Sequence, residues 1–215
     1  MLQNKKDILK KIGIDVYHQR KKSIEKNSNT DQPDVWSTLK SNVSSCKKCL
    51  LHKTRTQTVF GVGDTNADWL FIGEAPGKDE DIKGEPFVGR AGRLLNEIIF
   101  ASSLSRESVF IANILKCRPP KNRDPHQDEV SSCISYLQQQ IELINPKIII
   151  AVGKIAAQQL LNTDKSMSDL RGYKHSFGEN NIPLIVIYHP AYLLRSPTQK
   201  SKVWSDITLA QASID

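Results

Sequence analysis

Long apolar runs are missing from this chain. The longest, Ile148–Val152 and Leu184–Tyr188, fall far short of the ~20 residues that span a bilayer as a helix. The N-terminal stretch MLQNKKDILKKIG is charged and has neither an apolar core nor a small-residue cleavage site, so no secretory signal is expected. Cysteine is scarce, with 4 among 215 residues, which excludes a secreted disulfide scaffold. What is there is ordinary for a soluble globular protein: 39% hydrophobic and 25% charged residues. That is enough for one domain with its own core, with room for an appendage, and excludes a disordered tail protein. The expected compartment is the cytoplasm.

Acidic side chains are also thin at one end. Residues 1–56 hold 13 basic and 5 acidic side chains, a balance of +8, while the remaining 159 hold 17 and 18, a balance of −1. The net +7 therefore sits in the N-terminal quarter. An exposed basic arm suits a polyanion such as nucleic acid; a solvated tail that keeps the protein soluble fits the charge equally well.

The pattern along the chain places a short helix over residues 5–12 and a polar linker over Ser23–Gln32. Val35, Trp36, Leu39 and Val43 recur at helical spacing from Asp34 to about Ser45. Four continuous apolar runs then read as buried strands: Trp69–Gly73, Val109–Leu115, Lys147–Val152 and Leu184–Tyr188. Helices fit over Ala91–Ala101, Gln127–Leu143, Lys154–Leu161 and Val203–Ala212. Strands without alternation need cover on both faces, and their alternation with helices predicts a three-layer α/β/α sandwich around a four-stranded parallel sheet.

The cysteines fall as Cys46-x-x-Cys49, Cys117 and Cys133. A C-x-x-C pair brings two thiolates onto one metal or cluster, and the two single cysteines can complete the set. The spacing does not decide between zinc and an iron–sulfur cluster, and Cys133 alone also reads as a core residue.

Three strand ends carry the remaining signals, since loops at the carboxyl ends of a parallel sheet form its binding crevice. After the first strand comes Gly73-Glu-Ala-Pro-Gly77, then KDEDIKGEPFVGRAG. Glycines here let backbone approach a ligand. Five carboxylates lie between Glu74 and Glu85. Asp79 and Asp81 read as a solvated acidic loop, whereas Glu74 sits at the strand end itself. Phe87 is either a core plug or a stacking platform. The second strand ends NILKCRPPKNR, where Asn113 either caps a turn or offers an amide to a base edge. Lys116, Arg118, Lys121 and Arg123 form a candidate phosphate clamp. The fourth strand ends Tyr188-His189-Pro-Ala-Tyr-Leu-Leu-Arg195, which puts His189 at the sheet edge shared by Glu74 and Asn113. His18, His52, His126 and His175 read as surface residues.

Together, Cys46-x-x-Cys49, GEAPGKDEDIKGEPFVGRAG (73–92), NILKCRPPKNRDP (113–125), Cys133 and HPAYLLR (189–195) resemble the family 4 uracil-DNA glycosylases, over roughly residues 44–212. The resemblance implies a uracil-DNA glycosylase-like α/β/α fold over residues 41–215, preceded by a basic extension over residues 1–40. It implies a [4Fe–4S] cluster on Cys46, Cys49, Cys117 and Cys133. It also implies a DNA repair hydrolase that extrudes deoxyuridine, hydrolyses its N-glycosidic bond and leaves an abasic site. Phe87 would stack on the ring and Asn113 would read N3–H and O4. His189 would stabilise the departing uracil, and Glu74 or Glu80 would handle the water. Gly73 and Ala75 would border the base, Leu193 or Leu194 would fill the vacated stack, and Arg195 would lie near the phosphates. Related branches place an Asp where this chain has Ala75, so no carboxylate acts from that position. The expected partner is uracil-containing DNA and not a membrane, and the expected state is a monomer. The alternative is a non-catalytic DNA-binding or polymerase-associated iron–sulfur module on the same fold.

Overall fold

A computed structural model describes residues 34–214. The helix expected over residues 5–12, the linker over 23–32 and His18 lie outside the described residues.

The sheet contains β1 (Val62–Gly63), β2 (Trp69–Gly73), β3 (Phe110–Asn113), β4 (Ile148–Val152), β5 (Lys174–Phe177) and β6 (Ile182–Ile187), in the order β1-β3-β2-β4-β6-β5. The neighbours β3, β2, β4 and β6 are parallel. The edges are antiparallel, β1 on β3 and β5 on β6. The expected four-stranded parallel sheet is thus corrected to a mixed sheet of six, with the four expected strands at its centre. The additions escape a reading based on apolar runs for clear reasons. β1 is two residues long, and β5, with the sequence KHSF, is half exposed. A short or polar edge discourages pairing with a second chain, and it carries none of the hydrophobic signal of a central strand.

Alternate residues of each central strand face opposite layers. Leu70, Ile72, Ala112, Ile149, Ala151 and Val186 pack against helices Val35–Ser44, Gln127–Ile144 and Lys154–Leu161 through Leu39, Val43, Leu137, Ala156 and Leu160. Phe71, Ile111, Ile150, Ile185 and Ile187 pack against helices Arg90–Ala101 and Lys200–Gln211 through Leu95, Ile99, Val203 and Ile207. Both faces are covered, which is why the strands read as unbroken apolar runs. Each fully buried aliphatic side chain contributes roughly 1.5–3 kcal/mol of transfer free energy.

Helix Val35–Ser44 crosses the boundary expected between residues 40 and 41. Asp34 caps it, accepting from the Trp36 amide at 3.2 Å. Leu39 and Val43 are buried, and the Trp36 ring meets Phe60 and Phe110 edge-on at 5.5 and 5.4 Å. The body of the protein therefore includes the whole helix, from Asp34 onward.

Candidate active site

The carboxyl ends of β2, β3 and β6 converge on a cavity of about 490 Å³. The register pairs Gly73 with Asn113, so the end of β3 sits beside the turn that leaves β2. Glu74, Ala75, Glu80, Phe87, Asn113, His189 and Arg195 all line this cavity. The first and last of these residues lie 121 positions apart in sequence, and the parallel topology brings them together. Gly73 lies behind the wall. A Cβ there would stand 2.6 Å from Phe87 Cζ and would strike Asn113 Oδ1, so only glycine lets the amide and the ring close on each other.

Asn113 is buried, and its Oδ1 has no hydrogen-bond partner. A buried acceptor left unpaired costs roughly 1–3 kcal/mol. Such an orphan in a cavity wall is set to receive a donor from a ligand. Phe87 borders the same space at 7% exposure, its ring centroid 5.8 Å from that of His189. Its φ of 53° lies in the left-handed region, which a bulky side chain enters only when its surroundings enforce it.

His189 follows β6 and caps helix Pro190–Arg195, with Nδ1 accepting from the Ala191 amide at 3.1 Å. An amide can only donate, so Nδ1 is unprotonated and the neutral ring carries its proton on Nε2. Burial, helped by the positive charge of Arg195, pushes the His189 pKa down to about 4 against an opposing pull from Glu80. The imidazole is therefore a neutral donor at neutral pH.

The two candidate carboxylates differ. Burial, reinforced by the charge of Asp124, pushes the Glu74 pKa up to about 7. Glu80 is already engaged: its Oε1 accepts from the amides of Val88 at 2.8 Å and Gly89 at 3.0 Å. It staples the loop that carries Phe87 to helix Lys78–Lys83.

Several expectations need correction. Leu193 is fully buried, packed in the layer with Phe71 and Leu95, and does not line the cavity; Leu194, at 40% exposure, is the accessible one. Lys116 leaves the proposed phosphate clamp. It is buried, and its Nζ donates to the Asn113 carbonyl at 2.8 Å and to Gln140 Oε1 at 2.6 Å. Arg123 lines the cavity but pairs with Glu129 at 2.6 Å. Asp81 is no solvated loop residue: it is buried and accepts from the Thr56 amide and hydroxyl. His52 and His175 are partly buried, each ring 2.7 Å from a backbone carbonyl oxygen.

Cys46, Cys49, Cys117 and Cys133 line one small cavity beside helix Gln127–Ile144. Backbone amides of Lys48 and Lys116 approach the sulfurs of Cys46 and Cys133 at 3.5 and 3.3 Å. Arg55 reaches Cys117 Sγ at 3.0 Å and the Cys46 carbonyl at 2.9 Å. Among the described residues, no three His, Cys, Asp or Glu side chains are grouped so as to hold one metal ion. Arg55 and Gln140 escaped the sequence reading because neither stands in a motif; only the fold brings them to the thiols and to Lys116.

The family model described as the uracil DNA glycosylase superfamily matches residues 60–208. A type-4 uracil-DNA glycosylase of Archaeoglobus fulgidus is 46% identical over 76% of this chain and 85% of its own. One from Sulfurisphaera tokodaii is 42% identical, covering 78% and 80%. A third, from Thermotoga maritima, is 41% identical over 80% of this chain and 91% of its own. With the family model spanning most of the body and relatives this similar along nearly their whole length, the chain belongs to the uracil-DNA glycosylase superfamily.

Proposed function

We propose that this enzyme removes uracil from DNA by hydrolysing the bond between C1′ and N1. The observation that carries the reading is the buried, unpaired Asn113 Oδ1 in one cavity with the Phe87 ring and the neutral His189 donor. Uracil offers what these groups lack. Its N3–H can donate to Oδ1, its O4 can accept from the amide nitrogen, and its face can lie against Phe87. Cytosine has an acceptor at N3 and an amino group at C4, so it would leave both ends of the amide unpaired.

As the C1′–N1 bond breaks, its electron pair moves onto the uracil ring, and positive charge develops on the sugar. His189 Nε2–H donates to O2, where the charge gathers. Being neutral beforehand, it gains interaction energy in the transition state without first binding an anion. Glu74 is the carboxylate without a structural hydrogen bond, so we assign it to orient the water that adds to C1′ and to face the sugar cation. Glu80 acts indirectly, by holding the loop. The products are free uracil and an abasic site. At the rim, exposed Leu194 fills the vacated stack and Arg195 meets the backbone phosphates.

The cysteine cavity is the proposed seat of an iron–sulfur cluster, because Cys46, Cys49, Cys117 and Cys133 line it together. A [4Fe–4S] cluster bound there by Cys46, Cys49, Cys117 and Cys133 would supply cross-linking, tying the first loop to the extension of β3 and to helix Gln127–Ile144. The N–H donors around the sulfurs suit thiolate ligands. The reading also includes a monomer acting in the cytoplasm. A non-catalytic binding module is disfavoured, because binding alone has no use for a carboxyl raised to about 7 and an imidazole lowered to about 4 in one cavity.

The test is incubation of the holoenzyme with a uracil-containing oligonucleotide, followed by alkaline cleavage. Strand scission at the uracil, absent from a thymine control, is the expected result. Tight binding without scission would leave the binding-module reading in its place.

A further inference from the structure

Phe87 is held in a backbone conformation that a phenylalanine does not choose, and the residues that hold it come from three directions. From below, Gly92 of helix Arg90–Ala101 lies so close that any Cβ would strike the Phe87 carbonyl group. From one side, Glu80 accepts from the amides of Val88 and Gly89. From the other comes Arg106, which belongs to no motif and is not among the residues lining the site cavity. Its Nη2 donates to the Pro86 carbonyl at 2.6 Å. Its Nη1 donates to Asn96 Oδ1 on the same helix at 3.0 Å and makes a longer contact, 3.4 Å, with the Phe87 carbonyl. The guanidinium thus bridges the loop to the helix beneath it, using the fixed fork of donors that only arginine has.

We propose that Arg106 is a positioning residue for uracil excision: together with Glu80 it clamps the Pro86–Gly89 turn, so that the Phe87 ring stands in register with Asn113 and His189. The inference rests on the assignment of Phe87 as the stacking surface. A left-handed phenylalanine has ordinary backbone conformations to relax into. Without the clamp the turn relaxes, and the ring leaves the plane that a base must share. A misplacement of about 1 Å at a reacting centre can lower a rate about a hundredfold.

The experiment is a double-substitution cycle read by single-turnover cleavage of a uracil oligonucleotide, using wild type, Phe87→Ala, Arg106→Met, Arg106→Lys and Phe87→Ala/Arg106→Met. Arg106→Met is expected to slow cleavage by about tenfold to a hundredfold, with Arg106→Lys between it and wild type. In the Phe87→Ala background Arg106→Met should have little further effect, because the ring it positions is gone. Affinity for uracil-free DNA should stay at the wild-type level. If Arg106→Met does not fold, by its thermal melt, Arg106→Lys takes its place in the cycle with the same pattern expected. Full multiplication of the two effects, or wild-type rates for the Arg106 variants, overturns the proposal. Failure of the stacking assignment looks different: Phe87→Ala itself would then cleave as fast as wild type.

Discussion

In the proposed reading Asn113 and His189 touch the same base in different ways, so their variants should fail differently. His189→Ala removes a donor to charge that exists mainly in the transition state, so single-turnover cleavage should slow by about a hundredfold to a thousandfold while uracil-DNA binding changes little. That loss should be the same at pH 6 and pH 8, because the ring is neutral throughout, with a pKa near 4. Asn113→Asp places an acceptor opposite the C4 substituent. It should lower uracil cleavage and begin to admit cytosine, measured on matched oligonucleotides. Glu74 supplies a pH signature. If its ionised form orients the water, the cleavage rate rises with pH through about 7, and Glu74→Gln flattens that rise. Its effect on stability runs the other way. Burial raises the folded-state pKa above the ordinary carboxyl value, so the folded protein holds the proton more tightly. The favourable contribution is complete below about pH 4.5 and is lost as pH climbs through about 7. Thermal melts should show Glu74→Gln gaining on wild type at pH 8 and matching it near pH 4.

At the scale of elements, helix Val35–Ser44 is the piece whose role the sequence understated. It supplies Leu39 and Val43 to the core and seats Trp36 against Phe60 and Phe110. A chain beginning at Pro33 keeps the helix and its Asp34 cap. It should retain the single-turnover rate and lose only salt-dependent DNA affinity, since the residues removed carry 8 basic and 4 acidic side chains, half of the basic excess. A chain beginning at residue 41 loses Trp36 and Leu39 and should be strongly destabilised. Leu39→Ala alone should cost about 2–4 kcal/mol in denaturant unfolding. An unchanged salt slope for the chain starting at Pro33 would remove the arm from DNA binding. Helix Lys78–Lys83 is short and charged, yet it organises the site. Asp81 anchors it to Thr56, and Glu80 reaches from it to the Phe87 loop.

The molecule as a whole has two centres joined by β3. Its end delivers Asn113 to the site cavity, and four residues later the same segment delivers Cys117 to the thiol cavity. Lys116 lies between them with its ammonium on the Asn113 carbonyl. Loss of the proposed cluster should therefore loosen the fold and the pocket together. Freshly isolated protein should be brown and contain iron, and Cys49→Ala should lose the iron, the visible absorbance and much of the thermal stability. Stoichiometric zinc without iron in the wild-type protein would contradict the cluster assignment.

The sequence by itself determined the layers, the central strands and the places where chemistry gathers. Continuous apolar runs of five to seven residues read as strands covered on both faces, and the residues at their ends, Glu74, Asn113 and His189, meet at one sheet edge because the strands are parallel. The four cysteines stood out because a C-x-x-C pair is a local feature. Tertiary structure alone decided the rest. The edge strands β1 and β5 are set by pairing with a neighbour, not by their own periodicity. Of two adjacent leucines, the turn of helix Pro190–Arg195 buries Leu193 and exposes Leu194. Lys116 reads as a surface charge until Gln140 and the Asn113 carbonyl are seen around it. Which carboxylate is free, Glu74 or Glu80, depends on two amides of a loop eight and nine residues beyond Glu80. Hydrophobic periodicity is written along the chain, whereas a polar side chain's partner is fixed only by which segments the fold brings within hydrogen-bond reach.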